Sequence, residues 1–188
     1  MQKIKAGIIG MGYIGVSHIE AVRRLGFADV VAVSDVNYDL ALRKAEAYCV
    51  PKCYRTIEEL LADDEIQVVH NCTPNNLHKE INEKIIRAGK HIFSEKPLAM
   101  TSEECSQLLQ LLAEHTEVIH GVNFVYRMNA VVQEMKQRVR KGEIGKPTLV
   151  YGAYLQDWLL YETDYNWRIE PEVCGRSRCI ADIGTHWM

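Results

Sequence analysis

A chain of 188 residues with 47% hydrophobic side chains is long enough for one complete domain and part of a second. Its 22 basic and 25 acidic side chains give a net charge of -3 with no long block of either sign, so nucleic acid is not expected as a partner. Every apolar run is shorter than the roughly 18 residues of a membrane-crossing helix, and glycines break the lysine-led start MQKIKAGIIGMG too early for a signal peptide; a cytoplasmic protein with no membrane association is expected.

In chain order, Ile4 to Ile9 predicts a strand buried on both faces, Ile14 to Leu25 a helix and Val30 to Ser34 a second strand ending at Asp35. Asp39 to Tyr48 reads as a helix, and Thr56 can cap a short one over Ile57 to Ala62. A strand from Ile66 to Asn71 runs into CTPNN, and a helix from Leu77 to Ala88 stops at Gly89. His91 to Ser94 is a strand, TSEE at Thr101 to Glu104 has the form of a capping box for a helix reaching about Glu114, and Val118 to Val122 is a further strand. This alternation implies a parallel sheet with helices on both faces, the Rossmann doubly wound fold, over residues 1–122.

The pattern changes over residues 123–188, read as the start of a second domain. Val131, Met135 and Val139 mark one face of a helix ending near Gly142. Gly145 and Pro147 then turn into an aromatic strand, Thr148 to Leu155, which without neighbours would leave apolar groups and an open edge exposed. From Gln156 on the chain is rich in Trp, Tyr, Asp and Arg without a period and is expected to be mostly loop, with a helix possible only at its end. Six cysteines occur with no C-x-x-C pair, and ordinary, partly buried thiols are expected; Cys174 and Cys179, sharing a loop, are where a metal or redox role would be sought, but no metal site is expected.

Gly10-Met11-Gly12-Tyr13-Ile14-Gly15 fits G-x-G-x-x-G between a predicted strand and helix, and Asp35 follows Gly15 by 20 residues at the end of the next strand. Gly10 permits the turn, Gly12 lets backbone approach a pyrophosphate and Gly15 lets the helix pack closely, with the phosphates at the helix N-terminus. Asp35 would accept from the adenosine ribose hydroxyls and repel a 2′-phosphate, and Val36 and Asn37 supply no arginine, so NAD is expected in preference to NADP. The alternative is that Asp35 only caps the next turn. Thr73, Pro74 and Asn75 follow a strand's carboxyl end, where open α/β sheets bind ligands, and are expected to contact the nicotinamide half.

CTPNNLH at Cys72 to His78, EKP at Glu95 to Pro97 and DIGTH at Asp182 to His186 occur in the order and approximate spacing of the Gfo/Idh/MocA oxidoreductases, which the chain resembles over nearly its whole length. The resemblance implies a nucleotide-binding domain followed by an α+β domain with an open, mainly antiparallel sheet, incomplete here because the family pattern continues past Met188. It implies an NAD(P)-dependent dehydrogenase acting on a sugar or polyol, homo-oligomeric in its full-length form, and a chain that is a fragment or a truncation. The family's catalytic positions match Lys96, Asp182 and His186, Glu95 falls beside the nicotinamide ribose, and Lys96 is also a candidate cofactor contact. An imidazole at His186, ordinarily titrating near neutrality, could take the hydroxyl proton, an ammonium at Lys96 could stabilise alkoxide character, and Asp182 could face His186 across one helical turn.

Lys96 as a surface lysine and His186 as a helix-start histidine are the alternatives. Asn123 and Arg127 in GVNFVYR, and Asp157, Tyr165, Trp167 and Arg168 in QDWLLYETDYNWR, are candidate substrate contacts, with packing at a domain junction as the alternative. His18 and His78 are expected to be structural helix residues, with a place lining the cofactor or substrate cleft as the alternative. A dinucleotide-binding regulatory or structural protein without turnover is the competing function.

Overall fold

The computed structural model describes residues 3–186, which divide after Asn123 into two compact units. In the first, six strands form one sheet: β1 (Ile4–Ile9), β2 (Ala28–Ser34), β3 (Lys52–Tyr54), β4 (Val68–Asn71), β5 (His91–Ser94) and β6 (His120–Val122). Their order is β3-β2-β1-β4-β5-β6 and every pairing is parallel. Five helices connect them: α1 (Tyr13–Arg24), α2 (Tyr38–Ala47), α3 (Ile57–Leu61), α4 (His78–Arg87) and α5 (Ser102–Glu114). This is the doubly wound α/β fold, with the strand order reversing between β1 and β4.

Because strand side chains alternate between faces, the sheet has two cores. Ile8 and Val33 pack with Ile19, Val22, Ala41 and Ala45 of α1 and α2, whereas their neighbours Ile9 and Ala32 pack with Leu60, Ile81, Ile85 and Leu108 of α3, α4 and α5. The run Ala6–Ile9, buried throughout at the end of β1, is the consequence of covering both faces. The helix starts follow side-chain chemistry: Asn37 accepts from Leu40 N–H, Thr56 and Glu59 form a reciprocal capping box, and Thr101 accepts from Glu104 N–H. Gly89 closes α4 at a φ of 68°, in the left-handed region.

The short edge strand β3 has no counterpart among the elements read from sequence, since three residues carry no period. The strand expected over Val118–Val122 contracts to β6, with Val118 buried in the core ahead of it.

The second unit contains α6 (Ala130–Arg140), α7 (Pro171–Cys174) and α8 (Cys179–Asp182), with single 3-10 turns at Val125–Met128, Trp167–Ile169 and Gly184–His186. The strand expected over Thr148–Leu155 is not formed. Residues 148–155 carry no strand pairing, and Leu149, Val150, Tyr151 and Leu155 are all at least 83% exposed. A strand is defined by its partners, and none of the described residues of this unit supplies one. The apolar face of α6 is present at the predicted positions, but Val131, Met135 and Val139 remain exposed. Cys174 ends α7 and is buried, while Cys179 opens α8 and is exposed. No helix among the described residues is long and apolar enough to cross a membrane.

Candidate functional site

The glycine turn sits where the sheet order reverses, at the carboxyl ends of β1 and β4. Gly10 has a φ of 94°, and a Cβ there would lie 2.6 Å from the Cys72 carbonyl oxygen. A Cβ on Gly15 would lie 2.1 Å from the Gly10 carbonyl oxygen, so α1 packs directly on the turn. At Gly12, the N-cap of α1, a Cβ would meet nothing within 4 Å. The first two glycines are therefore required by the fold, whereas the third faces open space before a helix N-terminus. That cradle, with the unpaired N–H groups of α1 behind it, fits a dinucleotide pyrophosphate. Tyr13, 88% exposed, and the half-buried Ile14 open the helix.

Asp35 holds this turn. Its carboxylate accepts from Met11 N–H at 2.6 Å and from Asn37 N–H at 2.8 Å, so it caps its own turn and also anchors the glycine loop, while a carboxylate keeps acceptor sites beyond these two. Lys44 of α2 donates to the Met11 and Gly12 carbonyls. Ser34 is paired with Tyr54, so the chain leaves β2 and β3 side by side and Arg55 emerges next to Asp35. The Arg55 guanidinium stacks on the Tyr38 ring, 3.9 Å from its centroid. Arg55 escapes a sequence reading because an arginine 20 residues downstream gives no signal of sharing a strand-end position.

The ends of β4 and β5 carry two polar networks, one per sheet face. On the α4 side Asn71 donates to Asn82 and accepts from the Thr73 hydroxyl at 2.7 Å each. The buried His78 ring lies 2.7 Å from the Thr73 carbonyl and 2.6 Å from that of Pro97, linking the TPNN and EKP segments. Burial pushes its pKa down against the pull of those two carbonyls. Asn75 is buried and Pro74 precedes it as the cap of a 3-10 turn. Lys96, half-buried, precedes Pro97 across a cis peptide bond.

On the α1 side Glu95 is buried, and its Oε1 lies 2.9 Å from His18 Nε2 and accepts from Asn123 at 2.6 Å. Burial alone would raise the Glu95 pKa; the hydrogen bonds from His18 and Asn123 outweigh it and hold the carboxyl below its ordinary range. His18 Nδ1 lies 2.9 Å from His70 Nδ1. Burial and the neighbouring His18 push His70 down to about 3. Asn123 and Glu95 are thus brought together, and His18 belongs to the same cluster as its only helical member; His70 was not singled out by sequence, its alternation with Val69 and Asn71 resembling any buried strand.

In the second unit the Arg168 guanidinium lies 4.4 Å from the Trp167 ring centroid and its Nε is 3.3 Å from the Asp182 carboxylate. His186 packs edge-on against Tyr126 at 4.5 Å between centroids. The Tyr126 hydroxyl is 2.8 Å from that of Tyr154, and this bond, with burial and the Tyr154 and Asp182 charges, raises its pKa. The single helical turn expected to run from Asp182 to His186 is broken: α8 ends at Asp182 and the chain re-enters a 3-10 turn at Gly184. Arg127, Asp157 and Tyr165 are exposed. Tyr126, beside two motif residues, sits within a segment that sequence had marked only through Asn123 and Arg127.

A parallel sheet with a glycine cradle at its switch point and an acidic residue at the end of β2 defines a dinucleotide-binding domain of the oxidoreductase kind. Residues 4–124 match the oxidoreductase family with an NAD-binding Rossmann fold, and residues 132–188 match the GFO/IDH/MocA C-terminal domain. The chain belongs to the GFO/IDH/MocA oxidoreductase family. It is 32% identical over 99% of its length to a levoglucosan dehydrogenase of Pseudarthrobacter phenanthrenivorans, of which it covers 50%. It is 31% identical over 77% of its length to a myo-inositol 2-dehydrogenase of Thermotoga maritima, of which it covers 43%. A structure of levoglucosan dehydrogenase in complex with NADH and levoglucosan superposes with a TM-score of 0.90 at 32% identity, over 98% of this chain and 52% of that one. The chain thus spans about half the length of the relatives it matches.

Proposed function

We propose that this chain is the cofactor-binding part of an NAD(P)-dependent dehydrogenase that moves hydride between the nicotinamide and a secondary alcohol of a sugar or polyol. The observation that carries the reading is the open space at Gly12 before the N-terminus of α1, flanked by two glycines that the fold itself requires. The relatives, named for levoglucosan and myo-inositol, support the substrate class.

Gly10, Gly12, Tyr13, Ile14 and Gly15 would hold the pyrophosphate, Asp35 the adenosine ribose, and Thr73, Pro74, Asn75 and Glu95 the nicotinamide half. A bound nicotinamide supplies the hydride acceptor. Lys96 donates to the substrate oxygen and stabilises alkoxide character, and His186 takes the hydroxyl proton during oxidation and returns it during reduction. Asp182 orients substrate. Asn123, Arg127, Asp157, Trp167 and Arg168 are the remaining candidate contacts to substrate hydroxyls.

NAD is preferred over NADP, because the Asp35 carboxylate would repel a 2′-phosphate. Arg55 works against that preference from the neighbouring strand end, so the margin is modest. A cytoplasmic location and a homo-oligomeric assembly complete the reading.

Calorimetric titration of the chain with NADH and NADPH, then a panel containing levoglucosan and myo-inositol followed by NADH absorbance, tests it. Tighter binding of NADH with turnover of one panel member is expected. Absence of binding by either dinucleotide would overturn the cofactor reading, and binding with no turnover of any alcohol would favour a cofactor-binding regulatory protein.

A further inference from the structure

We propose that His70 is a positioning residue that partners the Nδ1 of His18, fixes the orientation of that ring and thereby holds the Glu95 carboxylate in one place at the cofactor end of β5. The inference rests on the reading that residues 95 and 96 border the nicotinamide half of the site.

His70 lies on β4 and points to the α1 face, paired in register with Phe93. Its Nδ1 is 2.9 Å from His18 Nδ1, a separation that requires one proton between the two atoms. His18 Nε2 is 2.9 Å from Glu95 Oε1, an ionised oxygen that can only accept, so His18 must carry a proton on Nε2. Asn123 donates to the same oxygen and lies 3.3 Å from His18 Nε2. Among the described residues the charged group facing the pair is Glu95, beyond β5, which also faces the buried Cys72 thiol, itself pushed well up; the ring of Phe93 closes the cluster.

With His70 neutral, two states remain. A neutral His18 accepts the bridging proton from His70 Nδ1; an imidazolium His18 donates it, and His70 carries its own proton on Nε2. In both, His18 Nε2–H stays on Glu95. If His70 offers no polar atom, the neutral His18 leaves its Nδ1 lone pair buried without a donor. A polar atom without a partner is costly in a buried site, so the ring is no longer held in one orientation and its Nε2–H clamp on Glu95 loosens.

The test compares NADH affinity of the chain and of His70→Leu and His70→Asn, with ring 15N spectra of the unsubstituted protein. His70→Leu is expected to bind NADH about tenfold more weakly. His70→Asn, whose amide can donate to His18 Nδ1 from nearly the same position, is expected to recover most of that loss, which a role in packing alone would not produce. The ring spectra are expected to show His18 protonated on Nε2 throughout, with His70 neutral well below pH 6. Equal affinity in His70→Leu and the parent, equal loss in both variants, or a His70 ring that titrates at the ordinary value would overturn the proposal. If the parent binds no NADH the cofactor reading fails instead, and the ring spectra still decide the His70–His18–Glu95 arrangement.

Discussion

The backbone N–H of Met11 donates to the Asp35 carboxylate at 2.6 Å, so the residue ending β2 braces the glycine turn that follows β1. A hydrogen bond to an ionised acceptor contributes on the order of 1.5–3 kcal/mol. Asp35→Ala should therefore lower thermal stability as well as NADH affinity, whereas a residue serving the ribose alone would change only the second. Arg55→Ala should leave NADH affinity within about twofold and weaken NADPH several-fold, since one exposed charge on a phosphate is worth roughly 1 kcal/mol. Calorimetry of both cofactors against both variants separates these effects, and an equal loss for NADH and NADPH in Arg55→Ala would assign that residue to the adenine instead.

The three glycines of the turn should behave differently on gaining a methyl group. Gly15→Ala places a Cβ 2.1 Å from the Gly10 carbonyl, and Gly10→Ala is both strained at its φ of 94° and 2.6 Å from the Cys72 carbonyl. Each should destabilise the fold by about 3 kcal/mol or more. Gly12→Ala meets nothing within 4 Å, so its melting temperature should stay close to that of the parent while NADH affinity falls at least about tenfold. Thermal unfolding beside calorimetry reads both quantities, and normal NADH binding by Gly12→Ala would remove the pyrophosphate from this cradle.

His70 should make the fold acid-sensitive over a defined window. A histidine held at about 3 does not take up the proton that the unfolded chain binds below its ordinary value near 6.5, so stability should fall progressively as pH drops from about 6.5 toward 3. Discounted for the ring's partial exposure, the loss is on the order of 2–3 kcal/mol. Glu95, held below its ordinary value, adds a further loss only below about pH 4.5, as it is protonated. His70→Asn should remove the upper part of this dependence and leave the lower part. Denaturant midpoints at half-unit pH steps measure it.

Lys96→Ala and His186→Ala should each slow alcohol oxidation by about 10²–10⁴-fold while changing NADH affinity far less, as expected for groups acting on the substrate proton and oxygen. Steady-state kinetics on the substrate found in the panel, together with NADH calorimetry, supply the two numbers. Full activity in either variant would reject that residue's role.

Much of the first unit was legible because its signals are local. A strand segment buried on both faces must be apolar, a helix start is favoured by a capping side chain, and a turn at positive φ favours glycine; Ala6–Ile9, Thr56 and Gly10 each state this within a few neighbouring residues. The strand at Thr148–Leu155 was read from the same kind of local apolar signal and did not form, because strand pairing depends on a second segment that a propensity cannot supply.

By itself, the sequence determined the doubly wound class, the glycine cradle with Asp35, and the three motifs that carry the family likeness. Only the tertiary structure decided that Arg55 stands beside Asp35, that His78 joins the carbonyls of Thr73 and Pro97, and that His18 and His70 meet at Glu95. Those contacts join residues up to 77 positions apart, and their existence depends on strand order and register. Register is set by the packing of two cores against one sheet, a property of the whole domain that no short stretch of residues contains.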